Sequence, residues 1–161
     1  MCPERNVRRT GVVVVAALIE QQGQILIGQR RPDQRHPLKW EFPGGKVEPG
    51  ETPRQALRRE LREELDIGAT VGREIARYEH TYRGRRPILL IFYLVRKFDG
   101  EPDNRIFNEI RWERVERLPR YDFLDGDLDF IRRLARGEYR RVIGFPEPGA
   151  TATTDVRRTR T

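Results

Sequence analysis

The sequence predicts an α/β domain in which a β-sheet lies between helices. Three observations predict it. Val12–Ile19 is a continuous run of Val, Ala, Leu and Ile, and Pro87–Lys97 contains PILLIFYLV, apolar on both faces as a central strand covered from both sides would be. Between them, Leu57, Leu61 and Leu65 recur at i, i+4 and i+8, the stripe of a helix lying on a core. A chain of 161 residues with 37% hydrophobic content suits one domain around a single core.

The elements follow in order. Val12–Ile19 and Ile25–Ile27 form strands joined by the polar segment Glu20–Gln24. Arg30–Lys39, with two prolines and many charges, is a loop, and Trp40–Pro43 then leads into Gly44-Gly45. Thr52 supplies a hydroxyl N-cap, Pro53 the first helical position and Gln55 the other half of a capping box. That helix runs to about Leu65, with Gly68 as its stop. Arg73–Tyr82 and Pro87–Lys97 are strands joined by the basic turn Arg83–Arg86, Ile110–Val115 is a further strand, and Leu128–Leu134 is a closing helix. The domain spans 11–144, between a flexible segment at 1–10 and a disordered basic tail at 145–161. From about Pro146 the tail is Pro, Gly, Thr and Arg, with too few apolar groups to offset the entropy of ordering.

Composition narrows the function classes. The 32 Lys and Arg against 25 Asp and Glu leave a net charge of +7, which favours a polyanion: nucleic acid, an acidic membrane surface or a nucleotide phosphate chain. Charge alone does not choose among these. Cys2 is the one cysteine, so neither a disulfide framework nor a Cys-based metal site can be built, and a reducing cytoplasm fits. Val12–Ile19 is too short to span a bilayer and lacks a cleavage site, so no membrane association is expected.

The chemistry is concentrated on the first helix. Residues rotate by about 100° each along a helix, so Glu60, Glu63 and Glu64 share one narrow arc. Strings such as RRELREEL more commonly form a solvated face laced with ion pairs. Here Arg58 and Arg62 point away from the glutamates, which leaves Arg59 as the cation placed beside Glu63 and keeps the patch net negative. The patch also adjoins the leucine stripe, at the edge of the core. Carboxylates in that position suit a hard, oxygen-ligated cation such as Mg²⁺. Gly44, Gly45 and Gly50 in the preceding loop let backbone approach a ligand closely.

At fixed spacing these features resemble the Nudix box: Gly45, five residues, Glu51, seven residues, then Arg59-Glu60-Leu61-Arg62-Glu63-Glu64-Leu65-Asp66-Ile67. Eight of nine specified positions match, and Asp66 stands where the family usually has glycine. Asp tolerates the left-handed conformation better than most residues. The similarity extends from about Val12 to Arg136 and is nearest to the MutT type, with WEFPGGKVEPGETPRQA as the telling run.

The resemblance implies a Nudix fold, a mixed β-sheet between helices, and Mg²⁺-dependent hydrolysis of a (deoxy)nucleoside triphosphate to monophosphate and pyrophosphate, with Mn²⁺ able to substitute. It further implies that the substrate is 8-oxo-dGTP or a related purine nucleotide and that nucleic acid is not required. By the same resemblance the Gly44 carbonyl and the carboxylates of Glu60, Glu63 and Glu64 bind metal, Arg59 steadies the glutamates, Glu51 braces the loop and Lys46 contacts phosphate. Arg30, Phe42, Arg86 and Asp127 match positions around the nucleotide, Asp127 replacing a common asparagine. Residue by residue, ordinary core packing competes for Phe42 and a solvated turn for Arg86, while His36 and His80 read as structural. The further glutamate that MutT-type enzymes carry before the strand holding Trp112 falls at Ile106, so the general base is unassigned, with Glu109 a possible substitute. Tyr82, fifteen residues past Ile67, argues against ADP-ribose and keeps diadenosine polyphosphates open. A non-catalytic nucleic-acid-binding module is the alternative from another class.

Overall fold

The structure is a computed structural model describing residues 11–144. The segments at 1–10 and 145–161, expected to be flexible, lie outside the described residues. At the centre β1 (Val12–Gln21) and β7 (Ile88–Val95) pair in parallel, from Val12 opposite Ile88 to Ile19 opposite Val95. β6 (Glu74–His80) runs antiparallel to β7, and β4 (Gly44–Lys46) antiparallel to β1. β2 (Gln24–Gln29) is lined along its length by β9 (Glu109–Arg114), while β1 and the short β3 (Trp40–Glu41) also pair with it. β5 (Gly68–Thr70) and β8 (Lys97–Asp99) form a separate two-stranded ribbon.

The alternation of the two central strands divides the core into layers. Val15, Ala17, Ile19, Ile91, Tyr93 and Val95 meet Ala56, Leu57, Leu61 and Leu65 of α1 (Pro53–Leu65). Ala16, Leu18, Leu90, Phe92 and Leu94 meet Phe130, Ile131 and Leu134 of α2 (Leu128–Ala135) and Ile143 of α3 (Arg140–Ile143). Both faces of the sheet are thus covered by helices, as PILLIFYLV requires. Each fully buried large apolar side chain contributes about 1.5–3 kcal/mol.

Helix α1 begins as its sequence predicts. The Gln55 N–H donates to Thr52 Oγ1 at 3.2 Å and the Thr52 N–H to Gln55 Oε1 at 2.8 Å. It ends at Asp66 in the left-handed conformation, φ 53°, whose N–H donates to the Arg62 carbonyl.

Several boundaries differ from expectation. The first hairpin closes through Gln22-Gly23, with φ 51° and 78°, so the strands run through most of Glu20–Gln24. The long apolar strand stops at Val95 and resumes as β8. β3, β4, β5 and β8 are only two or three residues long, too short to carry a period. Among the described residues no helix is long and apolar enough to cross a membrane.

Candidate active site

β4 brings the glycine loop against β1, with Gly44 opposite Ala16 and Gly45 opposite Val15. Gly44 has φ 152°, and a Cβ there would sit 2.0 Å from the Val15 carbonyl oxygen. A Cβ on Gly45 would sit 2.5 Å from Cδ of Glu60. The glycines therefore allow the loop to close on α1. The contact is completed by the Gly44 N–H, which donates to Glu64 Oε2 at 3.1 Å.

Arg59 is the hub on the exposed side of this junction. Its guanidinium donates to both carboxylate oxygens of Glu51 at 3.1 and 2.7 Å, to Glu60 Oε1 at 3.0 Å and to Glu63 Oε2 at 3.4 Å. It also donates to the Lys46 carbonyl at 3.1 Å. The Glu48 N–H donates to Glu51 Oε1 at 2.7 Å, so Glu51 ties the loop to Arg59. The bidentate Glu51 contact needs the planar fork of arginine.

The electrostatics follow from this layout. The Arg59 contact and the Glu48 N–H hold the Glu51 carboxyl below its usual range. Burial pushes Glu60 up, with Arg59 opposing and Glu63 and Glu48 reinforcing. Glu64 is only 7% exposed, and burial, then the charges of Glu60 and Glu41, raise it well above the usual carboxylate range, against the Gly44 N–H. Among the described residues no three acidic or histidine side chains stand gathered as a chelating cluster. Arg59 draws Glu60 and Glu63 to itself, and the Gly44 amide engages Glu64. All the same, Glu60, Glu63 and Glu64 offer oxygen donors on one edge of the helix, and burial and neighbouring charges oppose ionisation of Glu64, an opposition that a divalent cation would relieve.

A second group of expected residues surrounds β3. Arg30 donates to Glu41 Oε2 at 3.1 Å and, through Nε, to the Arg35 carbonyl at 2.7 Å. Phe42 is 4% exposed and packs against Phe92, Phe123 and Phe130 at 6.0, 5.4 and 5.7 Å, a core position. Lys46 and Arg86 are exposed. Asp127 is 6% exposed in a 3₁₀ turn, Asp125–Asp127, and its carboxyl is raised well above the usual range by burial and then by Glu41.

Glu41 is the residue that sequence reasoning passed over. Burial raises its carboxyl while Arg30 opposes, and its charge acts on both Glu64 and Asp127. Its charge thus bears on both the glutamate helix and the Asp127 turn. The signal was present: Trp40 and Phe42 are buried on either side, so strand alternation turns Glu41 to the opposite face.

The loop before β9 carries no acid against the core. Ile106 packs on the α1 side of the core, Asp103 N–H donates to the Leu65 carbonyl and Arg105 N–H to the Glu64 carbonyl. Glu109 is paired with Arg111. His36 and His80 both contact Tyr82, with ring centroids 5.2 and 4.5 Å away.

The NUDIX domain family model matches residues 8–134. Over 120 residues the chain is 41% identical to the CTP pyrophosphohydrolase of Escherichia coli K12, covering 74% of this chain and 88% of the relative. It is 39% identical over 124 residues to an 8-oxo-dGTP diphosphatase of Haemophilus influenzae, covering 76% and 90%. Among solved structures, the E. coli ORF135 protein superposes with a TM-score of 0.73 at 38% identity, over 83% of this chain and 94% of that one. A MutT structure from work on Aliivibrio salmonicida and Vibrio cholerae gives 0.66 at 30% identity, over 78% and 97%.

Proposed function

Because the chain belongs to the Nudix family and is a hydrolase of the MutT type, we propose that it converts a nucleoside triphosphate to the monophosphate and pyrophosphate with a divalent cation, Mg²⁺ or Mn²⁺. The observation that carries this reading is the closure of the Gly44-Gly45 loop on Glu60 and Glu64, with Arg59 bracing loop and helix together.

Glu60, Glu63, Glu64 and the Gly44 carbonyl are the groups that would hold the cation. When bound, it would neutralise phosphate oxygens and acidify a water for in-line attack at phosphorus. The remaining roles belong to the chain. Arg59 keeps Glu60 and Glu63 from splaying apart, and Glu51 fixes Arg59. Lys46, exposed at the end of β4, offers its ammonium to the phosphate chain. Ile106 offers no carboxylate at its place in the loop before β9, Glu101 and Asp103 of that loop are exposed and Glu109 is paired with Arg111, so proton transfer falls to the helix glutamates.

Arg30, Glu41 and Asp127 form the base-recognising end, with Phe42 in the aromatic core, and the exposed Arg86 is the further residue that the resemblance assigns to the nucleotide. A buried carboxyl whose pKa is raised can donate as well as accept, which suits a base edge carrying both amino and ring-nitrogen groups. The substrate read from the sequence is 8-oxo-dGTP or a related purine nucleotide, and the 39% identical relative of that name supports it. The 41% identical CTP pyrophosphohydrolase supports a second reading, a cytosine nucleotide, whose amino group donates and whose ring nitrogen accepts, as a protonated carboxyl requires.

The test is Mg²⁺-dependent pyrophosphate release from 8-oxo-dGTP, dGTP, CTP, dCTP, ADP-ribose and diadenosine tetraphosphate. Turnover of a triphosphate that is lost in Glu63→Gln/Glu64→Gln is the expected result. No turnover of any, with salt-sensitive binding to RNA or DNA, would reject it in favour of a nucleic-acid-binding module.

A further inference from the structure

Tyr78 and His80 face the same side of β6, and Tyr82 follows at the next alternate position, just beyond the strand. Tyr78 and Tyr82 converge on one residue, Gly126. The Tyr78 hydroxyl donates to the Gly126 carbonyl at 2.7 Å, and the Gly126 N–H donates to Tyr82 Oη at 3.2 Å. Both polar groups of a single backbone position are therefore held by side chains more than forty residues away in sequence. The fit leaves no space for a side chain: a Cβ on Gly126 would lie 2.8 Å from Tyr82 Oη and 3.3 Å from His80 Cδ2.

The residue after this clamp is Asp127. Burial and then the charge of Glu41 act on its carboxyl, and among the described residues it has no hydrogen bond or ion pair. A buried carboxyl in that condition relaxes toward water unless its backbone is held in place. The two tyrosine hydroxyls supply that restraint. The Tyr82 ring also contacts His36, in the loop that follows β2, so the loop and the Asp127 turn share one support.

We propose that Tyr78 and Tyr82 are positioning residues for nucleotide selection: by clamping the Gly126 peptide they hold the Asp127 carboxyl where it meets the base. This rests on the reading of Asp127 as a base-recognising group. A purely structural role would need the rings for packing; positioning needs the hydroxyls.

Tyr78→Phe and Tyr82→Phe each keep the ring and remove one hydroxyl. Each is measured alone and combined with Asp127→Asn, for kcat and KM on dGTP, 8-oxo-dGTP, dCTP and CTP. The Kd for the α,β-methylene analogues of dGTP and dCTP is measured by calorimetry, which needs no turnover. The expected result is a rise of about three- to tenfold in Kd and KM for the favoured base, kcat unchanged within about twofold, and narrower discrimination between bases. Adding Asp127→Asn to either tyrosine variant then removes less discrimination than it does alone. If Asp127→Asn alters discrimination and neither tyrosine variant does, the clamp is overturned and the reading of Asp127 stands. If Asp127→Asn leaves discrimination unchanged, that reading falls and the clamp with it. A uniform loss of kcat or stability at constant discrimination marks the tyrosines as structural and also overturns the proposal. The two variants are independent, so a folding defect in one leaves the other to decide.

Discussion

The Glu64 carboxylate accepts the Gly44 N–H at 3.1 Å, joining the last turns of α1 to a glycine twenty residues earlier in the chain. The same carboxyl is buried and burdened by the charges of Glu60 and Glu41. Its structural and electrostatic roles can be separated by substitution. Glu64→Gln keeps an oxygen to accept from Gly44 and removes the charge. Mg²⁺-dependent pyrophosphate release should fall by more than about 100-fold, while thermal denaturation without metal shows a Tm equal to or above that of the wild type. A rate within a factor of about three would remove Glu64 from the catalytic site.

Arg59→Lys tests the hub. An ammonium cannot reproduce the paired bonds to Glu51 while reaching Glu60, Glu63 and the Lys46 carbonyl. The expected loss in kcat/KM is about 10- to 100-fold. Combined with Glu51→Gln, the losses should fall well short of additive, and a fully additive double-mutant cycle would show that the two act separately.

The two glycines should fail in different ways. Gly44→Ala drives a Cβ into the backbone of Val15, which cannot move without unpairing β4, so equilibrium denaturation should show a loss of about 3 kcal/mol. The nearest atoms to a Cβ in Gly45→Ala are those at the end of the Glu60 side chain, which can swing away. Stability should change by less than about 1 kcal/mol, with kcat/KM down about tenfold or more.

The buried acids set a pH dependence. Glu41, Glu64 and Asp127 are all raised in the folded protein, chiefly by burial, so the native state holds protons that the unfolded chain has released. Between the ordinary carboxylate values near pH 4 and the raised native ones, stability falls as pH rises. The metal-free Tm should therefore decline as pH rises above the ordinary carboxylate range. The decline should be shallower in Glu64→Gln or Asp127→Asn, and Mg²⁺ should flatten it by binding the ionised form. Glu51, held low by Arg59, acts in the opposite sense and only below the ordinary range. An equal slope in wild type and both variants would contradict this assignment.

Much of the molecule was legible in the sequence because the signals are local. The Thr52–Gln55 capping box, the leucine stripe and the left-handed Asp66 are properties of neighbouring residues on one helix. The two apolar central strands announced a sheet covered on both sides, and the spacing from Gly45 to Ile67 announced the glutamate arc. Short strands such as β3 and β4 were not legible, since two or three residues exist as strands only through partners far away in the chain.

The same division holds for the site. By itself the sequence determined which carboxylates share a helix face and which glycines precede them, because rotation per residue and spacing are fixed by covalent geometry. The tertiary structure alone decided that Gly45 abuts Glu60, that Arg59 gathers Glu51, Glu60 and Glu63, and that Phe42 belongs to the aromatic core. It also paired Glu41 with Arg30, let the Glu41 charge act on Asp127, and set Tyr78 and Tyr82 on Gly126. Those relations depend on desolvation and on distances between segments separated by tens of residues, and both arise only when the sheet and its two helical layers close.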